Sequence, residues 1–110
     1  MLLEEVVKKL NLKIFTLEKE LNREVRGGYT SDLLSDVMGA AKEGQVWITL
    51  QTHKNIIAVA SLKELSAVIL VKGYQPDIDT LDASISENIP LLGSNMEAFE
   101  LSGKLYDIIK

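Results

Sequence analysis

The first ten residues set Leu2, Leu3, Val6, Val7 and Leu10 on one helical stripe and Glu4, Glu5, Lys8 and Lys9 on the other. That 3.6-residue period predicts an amphipathic helix. Lys13-Ile14-Phe15 and Glu24-Val25-Arg26 read as short strands, and Gly27-Gly28 as a flexible turn after the second. Thr30 or Ser31 is placed to cap the next helix, since a hydroxyl there accepts orphan amides and Asp32 suits the positive helix end. Leu33, Leu34, Val37, Met38 and Ala41 would form the buried face of that helix, and Gly44 would stop it.

Gln45 to Leu50 has the β-branched and aromatic character of an inner strand. After the polar connection Gln51-Thr52-His53-Lys54-Asn55, Ile56 to Leu65 predicts a short apolar helix, and Ala67 to Val71 a strand buried on both faces. Lys72 to Pro76 breaks that strand. Asp77 begins a helix that continues through Glu87, Ile89 to Leu92 forms a brief strand, and Ser94 or Asn95 caps a final helix through Tyr106. Strands alternating with helices predict a three-layer α/β/α domain with a largely parallel or mixed sheet of four to six strands. No repeat, linker or low-complexity tract divides residues 1–110, which read as one domain.

Composition narrows the function classes more than it names one. Apolar residues make up 46% and charged residues 25%, the balance of an ordinary globular chain. Twelve basic against 16 acidic residues give a net charge of −4, which argues against nucleic acid and against anionic membrane as partners. With no cysteine and one histidine, disulfides, zinc–thiolate sites and iron–sulfur ligation are excluded within the chain, and no metal or cofactor is expected. The apolar run Ile56 to Ala60 is far short of the roughly 20 residues that span a bilayer. The opening segment has neither a basic n-region nor a small-residue cleavage site, so a cytoplasmic protein is the expectation.

Several segments mimic known chemistry and fail on spacing or context. Gly39 to Val46 has two glycines in P-loop spacing, but Gln45 and Val46 stand where Lys and Ser or Thr are required, and the segment leaves a helix for a strand. Asp77, Asp79 and Asp82 resemble part of a calcium loop without its glycine and closing glutamate, and suit a helix N-terminus instead. His53 is the only imidazole available as a base; Thr49, Thr52, Asp32 and Asp36 are at hand, but no nucleophile elbow or triad motif surrounds it, so an enzyme is the weakest reading. The stronger candidate is a binding site on two polar segments. One supplies Arg26, Gly27, Gly28, Ser31 and Asp32, and the other Thr49, Gln51, Thr52, His53 and Asn55. Both are expected beyond the carboxyl ends of strands, where open α/β sheets take ligands. Ordinary turn and capping chemistry accounts for the same residues.

Gly28 to Met38, Trp47-Ile48-Thr49 with Gln51, His53 and Asn55, Ala58-Val59-Ala60, Ile89-Pro90-Leu91-Leu92, Phe99-Glu100-Leu101 and Gly103-Lys104-Leu105 together resemble the DRTGG domain family over roughly residues 2–107. The literal DRTGG letters are absent; Glu24-Val25-Arg26-Gly27-Gly28 is the nearest stretch. The resemblance implies a fold related to the N-terminal domain of HPr kinase/phosphorylase and, more distantly, to those of muramyl ligases. It implies an accessory domain of the kind found beside CBS domains in regulatory proteins and some pyrophosphatases, with chemistry residing elsewhere. It also implies a stand-alone member, of a kind associated in some anaerobes with iron-only hydrogenase systems. Two functions follow as expectations: a sensor of a small anionic metabolite or nucleotide, or a homodimeric interaction module. The second would be built from the terminal helices, where Leu2, Leu3, Val6, Leu105, Ile108 and Ile109 are apolar residues open to either core or interface.

Overall fold

The computed structural model describes residues 1–109. Helix α1 (Leu3–Leu10) forms where the apolar stripe predicts it, with Leu3 and Val6 fully buried. The Leu2 amide donates to the Glu5 carboxylate at 3.1 Å, and Asn11 ends the helix in the left-handed conformation. Then come β1 (Lys13–Ile14), a 3₁₀ turn at Glu18–Glu20, β2 (Gly27–Thr30), α2 (Leu34–Ala40), β3 (Gln45–Thr49), α3 (Asn55–Leu62), β4 (Ala67–Leu70), α4 (Ile78–Glu87), β5 (Leu91–Gly93) and α5 (Ala98–Ile109). No helix among the described residues is long and apolar enough to cross a membrane.

The five strands lie in the order β1-β5-β4-β3-β2, with β2 to β5 parallel and β1 antiparallel at one edge. From β2 to β5 the chain moves one strand over at each step in the same direction. Crossovers of one hand then place α2, α3 and α4 on one face of the sheet. The terminal helices α1 and α5 cover the other, giving the three layers the pattern predicts. Alternation along the strands divides the core accordingly. Val46, Ile48, Ala67, Ile69 and Leu92 pack with Leu3, Val6, Leu101 and Leu105, whereas Trp47, Val68, Leu70 and Leu91 pack with Val37, Ile56, Ile57 and Ala60.

Three expectations are corrected by tertiary packing. Glu24-Val25-Arg26 is not a strand; Glu24 makes only an isolated bridge to Leu2, and the strand is Gly27–Thr30, where a turn was expected. The glycines there serve packing: a Cβ on Gly28 would lie 2.9 Å from Leu105 Cδ2, so α5 sits directly on the β2 backbone. In α2, Leu33 (63% exposed) and Met38 (39%) face outward, because this seven-residue helix buries only Val37, with Ala41 just beyond it. Neither Thr30 nor Ser31 caps α2 from the N-cap position, which is Leu33; the Ser31 hydroxyl instead accepts the Leu33 amide, and the Thr30 hydroxyl pairs with Ser102. Of the terminal apolar residues open to core or interface, Leu3, Val6 and Leu105 are buried in the core, and Leu2, Ile108 and Ile109 are half-buried.

Candidate ligand site at the carboxyl edge of the sheet

The loops after β2 and β3 are joined through Asp32. Its Oδ1 accepts the Thr49 hydroxyl at 2.8 Å and the Leu50 amide at 2.7 Å, while its main-chain carbonyl accepts Gln51 Nε2 at 2.9 Å. The Thr49 hydroxyl in turn accepts the Gln51 amide at 3.1 Å. Beside this, the indole N–H of buried Trp47 donates to the Ser31 carbonyl at 2.7 Å, and the Ser31 amide donates to the Ile48 carbonyl. A carboxylate receiving two donors holds both loops in one geometry. Ser31, Asp32, Thr49 and Gln51 are thus brought together, but largely to satisfy one another. On the outer side of α2's first turn, Asp36 accepts the Tyr29 hydroxyl at 2.9 Å, and that hydrogen bond raises the phenol above its ordinary pKa.

Thr52, His53 and Asn55 belong to the start of α3. The Thr52 carbonyl accepts the Asp77 amide and the Thr80 hydroxyl, tying this loop to the N-terminus of α4. His53 Nδ1 lies 3.3 Å from Asp77 Oδ2, with 74% of the imidazole exposed. Among the described residues His53 pairs with Asp77 and with no hydroxyl, while the Thr49 hydroxyl donates to Asp32. Among the described residues α3 has no side-chain cap at its N-cap, Lys54, and the Ile56 and Ile57 amides donate to the His53 and Lys54 carbonyls. Among the described residues no group of three His, Asp or Glu side chains could hold a metal ion.

Arg26, Gly27 and Gly28 lie elsewhere. The Arg26 amide donates to the Gly44 carbonyl and its guanidinium lies 3.6 Å from Glu43, while Gly27 pairs in register with Gln45 at the start of β3. These contacts mark the amino end of β2, about 13 Å from Ser31 at roughly 3.3 Å per residue. The expectation that both polar segments sit at the carboxyl ends therefore holds for Ser31 and Asp32 but not for Arg26 and Gly27. The cause is the strand that replaces the expected turn: an extended Gly27–Thr30 separates the segment's two ends.

A second feature of the same edge escaped the sequence reading. Beyond β4 and β5 lies a crevice of about 110 Å³ walled by Gly73 to Gln75, Gly93 to Asn95, and Asn11, Lys13 and Phe15 from the β1 side. Lys13 Nζ sits 5.0 Å from the centroid of the Phe15 ring. Gly73 has φ +71°, a conformation that favours glycine, and its amide donates to the Ser94 carbonyl, closing the loop over the end of β5. The signals available were the two glycines following apolar strands; what was missing was the antiparallel placement of β1 against β5, which brings Lys13 opposite Gly93.

Neither family models nor curated proteins include a match to this chain. Among solved structures, it is similar to the CBS and DRTGG domains of the regulatory region of Clostridium perfringens pyrophosphatase, crystallised with the activator diadenosine tetraphosphate. The TM-score is 0.70 at 14% identity, over 94% of this chain and 45% of that one, so this chain spans less than half the length of its neighbour. At that identity the likeness is one of fold, and the fold of this chain is DRTGG-like.

Proposed function

We propose that this chain is a regulatory domain that senses a small anionic metabolite or nucleotide and has no catalysis of its own. The site is the start of α3, with Thr52, His53 and Asn55 facing the ligand and the Ser31, Asp32, Thr49 and Gln51 network holding that loop in place. The observation that carries this reading is the start of α3: the exposed His53 stands with Lys54 and Asn55 at a helix N-terminus that has no side-chain cap among the described residues, on a loop held by the Asp32 hydrogen bonds. The Ile56 and Ile57 amides donate to the His53 and Lys54 carbonyls, so this helix start offers an anion its positive dipole end and the exposed imidazole. Asp77 now occupies His53, and a bound anion would take its place. A DRTGG-like fold agrees with this reading, since the regulatory region it resembles was crystallised with a nucleotide activator.

A thermal-shift screen against nucleotides, dinucleotides, sugar phosphates and UDP-sugars tests it. A ligand at 100 times its Kd stabilises the folded state by about 2.7 kcal/mol, which moves Tm by roughly 10 °C or more in a domain of this size. The shift is expected to vanish in His53→Ala and to survive in Arg26→Ala, whose side chain lies at the opposite end of β2. A complete absence of shifts counts against a sensor.

A homodimeric or partner-binding module is the second reading, favoured by one feature. Strand β2 is outermost in the sheet, and Gly27–Thr30 contains neither a charged residue nor a proline to guard its open edge. A partner from an iron-only hydrogenase system, as the family resemblance implies, would belong to this reading. Light scattering after size exclusion distinguishes a dimer from a monomer.

A further inference from the structure

Adjacent parallel strands in this sheet part company at one place. The chain leaves β2, β3 and β4 toward α2, α3 and α4 on the same face, but leaves β5 toward α5 on the other. Where neighbouring connections diverge in this way, an open α/β sheet leaves a crevice beyond its carboxyl ends. Here it is the 110 Å³ crevice beside β1, two strands away from β3 and about 10 Å from it at the usual strand spacing.

Charge and donors single this crevice out. Its lining holds Lys13 and no carboxylate, in a chain whose net charge is −4. Among the described residues Lys13 makes no ion pair; its ammonium rests over the face of Phe15. The main-chain amides of Gln75 and Asn95 likewise donate no hydrogen bond among the described residues. Phe15 reaches this position because residue 93 has no side chain: a Cβ there would lie 2.6 Å from Phe15 Cε2. The crevice thus holds a half-buried ring that packs on the core and on Gly93, a cation over that ring with no ion pair among the described residues, and two main-chain donors that make no hydrogen bond there.

We propose that this crevice binds a nucleoside monophosphate, the base stacking on Phe15 and the phosphate taken by Lys13 with the amides of Gln75 and Asn95. A phosphate dianion is a stronger partner for an ammonium than a phenyl face is. Once Lys13 turns to it, the vacated ring is open to a base, and base–aromatic stacking tolerates any base because each has a π-face. Inorganic phosphate would use only the cation and amides, and a nucleoside only the ring. The site is separate from the His53 edge and goes beyond the sensing reading.

Titration of the ¹⁵N-labelled chain with AMP, adenosine and inorganic phosphate, followed by amide chemical shifts, tests it. AMP is expected to bind more tightly than either fragment, moving the amides of Gly73, Gln75, Gly93 and Asn95. Lys13→Gln should weaken AMP by about tenfold, the loss expected for a charged hydrogen bond. Phe15→Leu should weaken AMP and adenosine while leaving phosphate unchanged. AMP binding that is indifferent to both substitutions, or shifts confined to His53 to Ile56 and lost in His53→Ala, would overturn the crevice while leaving the sensing reading intact. Failure of wild-type protein to bind AMP at millimolar concentration would overturn it as well. Thermal melts of both variants, with Lys13 exposed and Phe15 half-buried, establish that the fold persists.

Discussion

The carboxyl edge of the sheet has two halves that differ in how their polar groups are used. Over β2 and β3 the polar residues are many, and Asp32, Thr49, Gln51 and Ser31 bond to one another or to nearby main chain. Over β4 and β5 they are fewer, yet Lys13 and two main-chain amides have no hydrogen-bond or ion-pair partner among the described residues. Polar density along a sequence therefore does not measure binding capacity. A group already satisfied within the fold offers a ligand little, because binding it would only exchange one hydrogen bond for another.

Substitutions that break the Asp32 network or the Trp47 packing beneath it should therefore cost stability, and those at Lys13 mainly binding. The largest effect is expected from Trp47→Ala, which empties a fully buried site beneath the β2–β3 edge and removes the donor to the Ser31 carbonyl; a loss of about 3–5 kcal/mol should be read in urea unfolding. Asp32→Ala strands the Thr49 hydroxyl and Leu50 amide, and about 2 kcal/mol is expected from the same measurement, reduced from a buried case because Asp32 is exposed. Gly93→Ala should cost about 1 kcal/mol by pushing the Phe15 ring aside, and should impair AMP binding out of proportion to that loss. Lys13→Gln should change stability by less than about 0.5 kcal/mol, since its side chain is exposed and makes no ion pair among the described residues. A destabilisation of Lys13→Gln as large as that of Asp32→Ala would erase the distinction between the halves.

The smallest effect is spectroscopic. The bond to Asp36 raises the Tyr29 phenol, so the folded chain should hold that proton to higher pH than the unfolded chain does. Any stability this bond contributes is present below the unfolded value, roughly pH 10, and is lost as pH rises through the raised folded value. An ultraviolet titration of wild type against Tyr29→Phe isolates this phenol, and ionisation at or below the ordinary tyrosine range would show that the Asp36 contact is absent in solution.

Much of the architecture was legible because local pattern and long-range burial agree. The 3.6-residue stripe of α1 faces the core, the uninterrupted apolar run Ala67 to Val71 lies buried within the sheet, and Asp77 stands at the N-cap of α4 where the pattern puts it. Legibility failed where the burying partner comes from far along the chain. Gly27-Gly28 looks like a turn by composition, and only α5, some 75 residues later with Leu105, makes it a strand that needs no side chains. Leu33 and Met38 look like core by period, but the short α2 fully buries only Val37, with Leu34 half-buried against the same core. Among the candidate site residues, Ser31, Asp32, Thr49 and Gln51 were recognisable as neighbours across adjacent strands, while Arg26 was not separable from them without knowing that β2 lies between.

The sequence by itself determined the class of fold, its alternation of helices and strands, and its exclusion of thiol chemistry, because these depend on short-range periodicity and composition. The tertiary structure alone decided which polar groups are spent and which are left over. Strand order sets that outcome: placing β5 between β4 and the antiparallel β1 brings Lys13 and Phe15 to the point where connections diverge, and pairing β2 in parallel with β3 brings Asp32 to the end of β3. Those juxtapositions join residues far apart in the chain, and no local propensity encodes them.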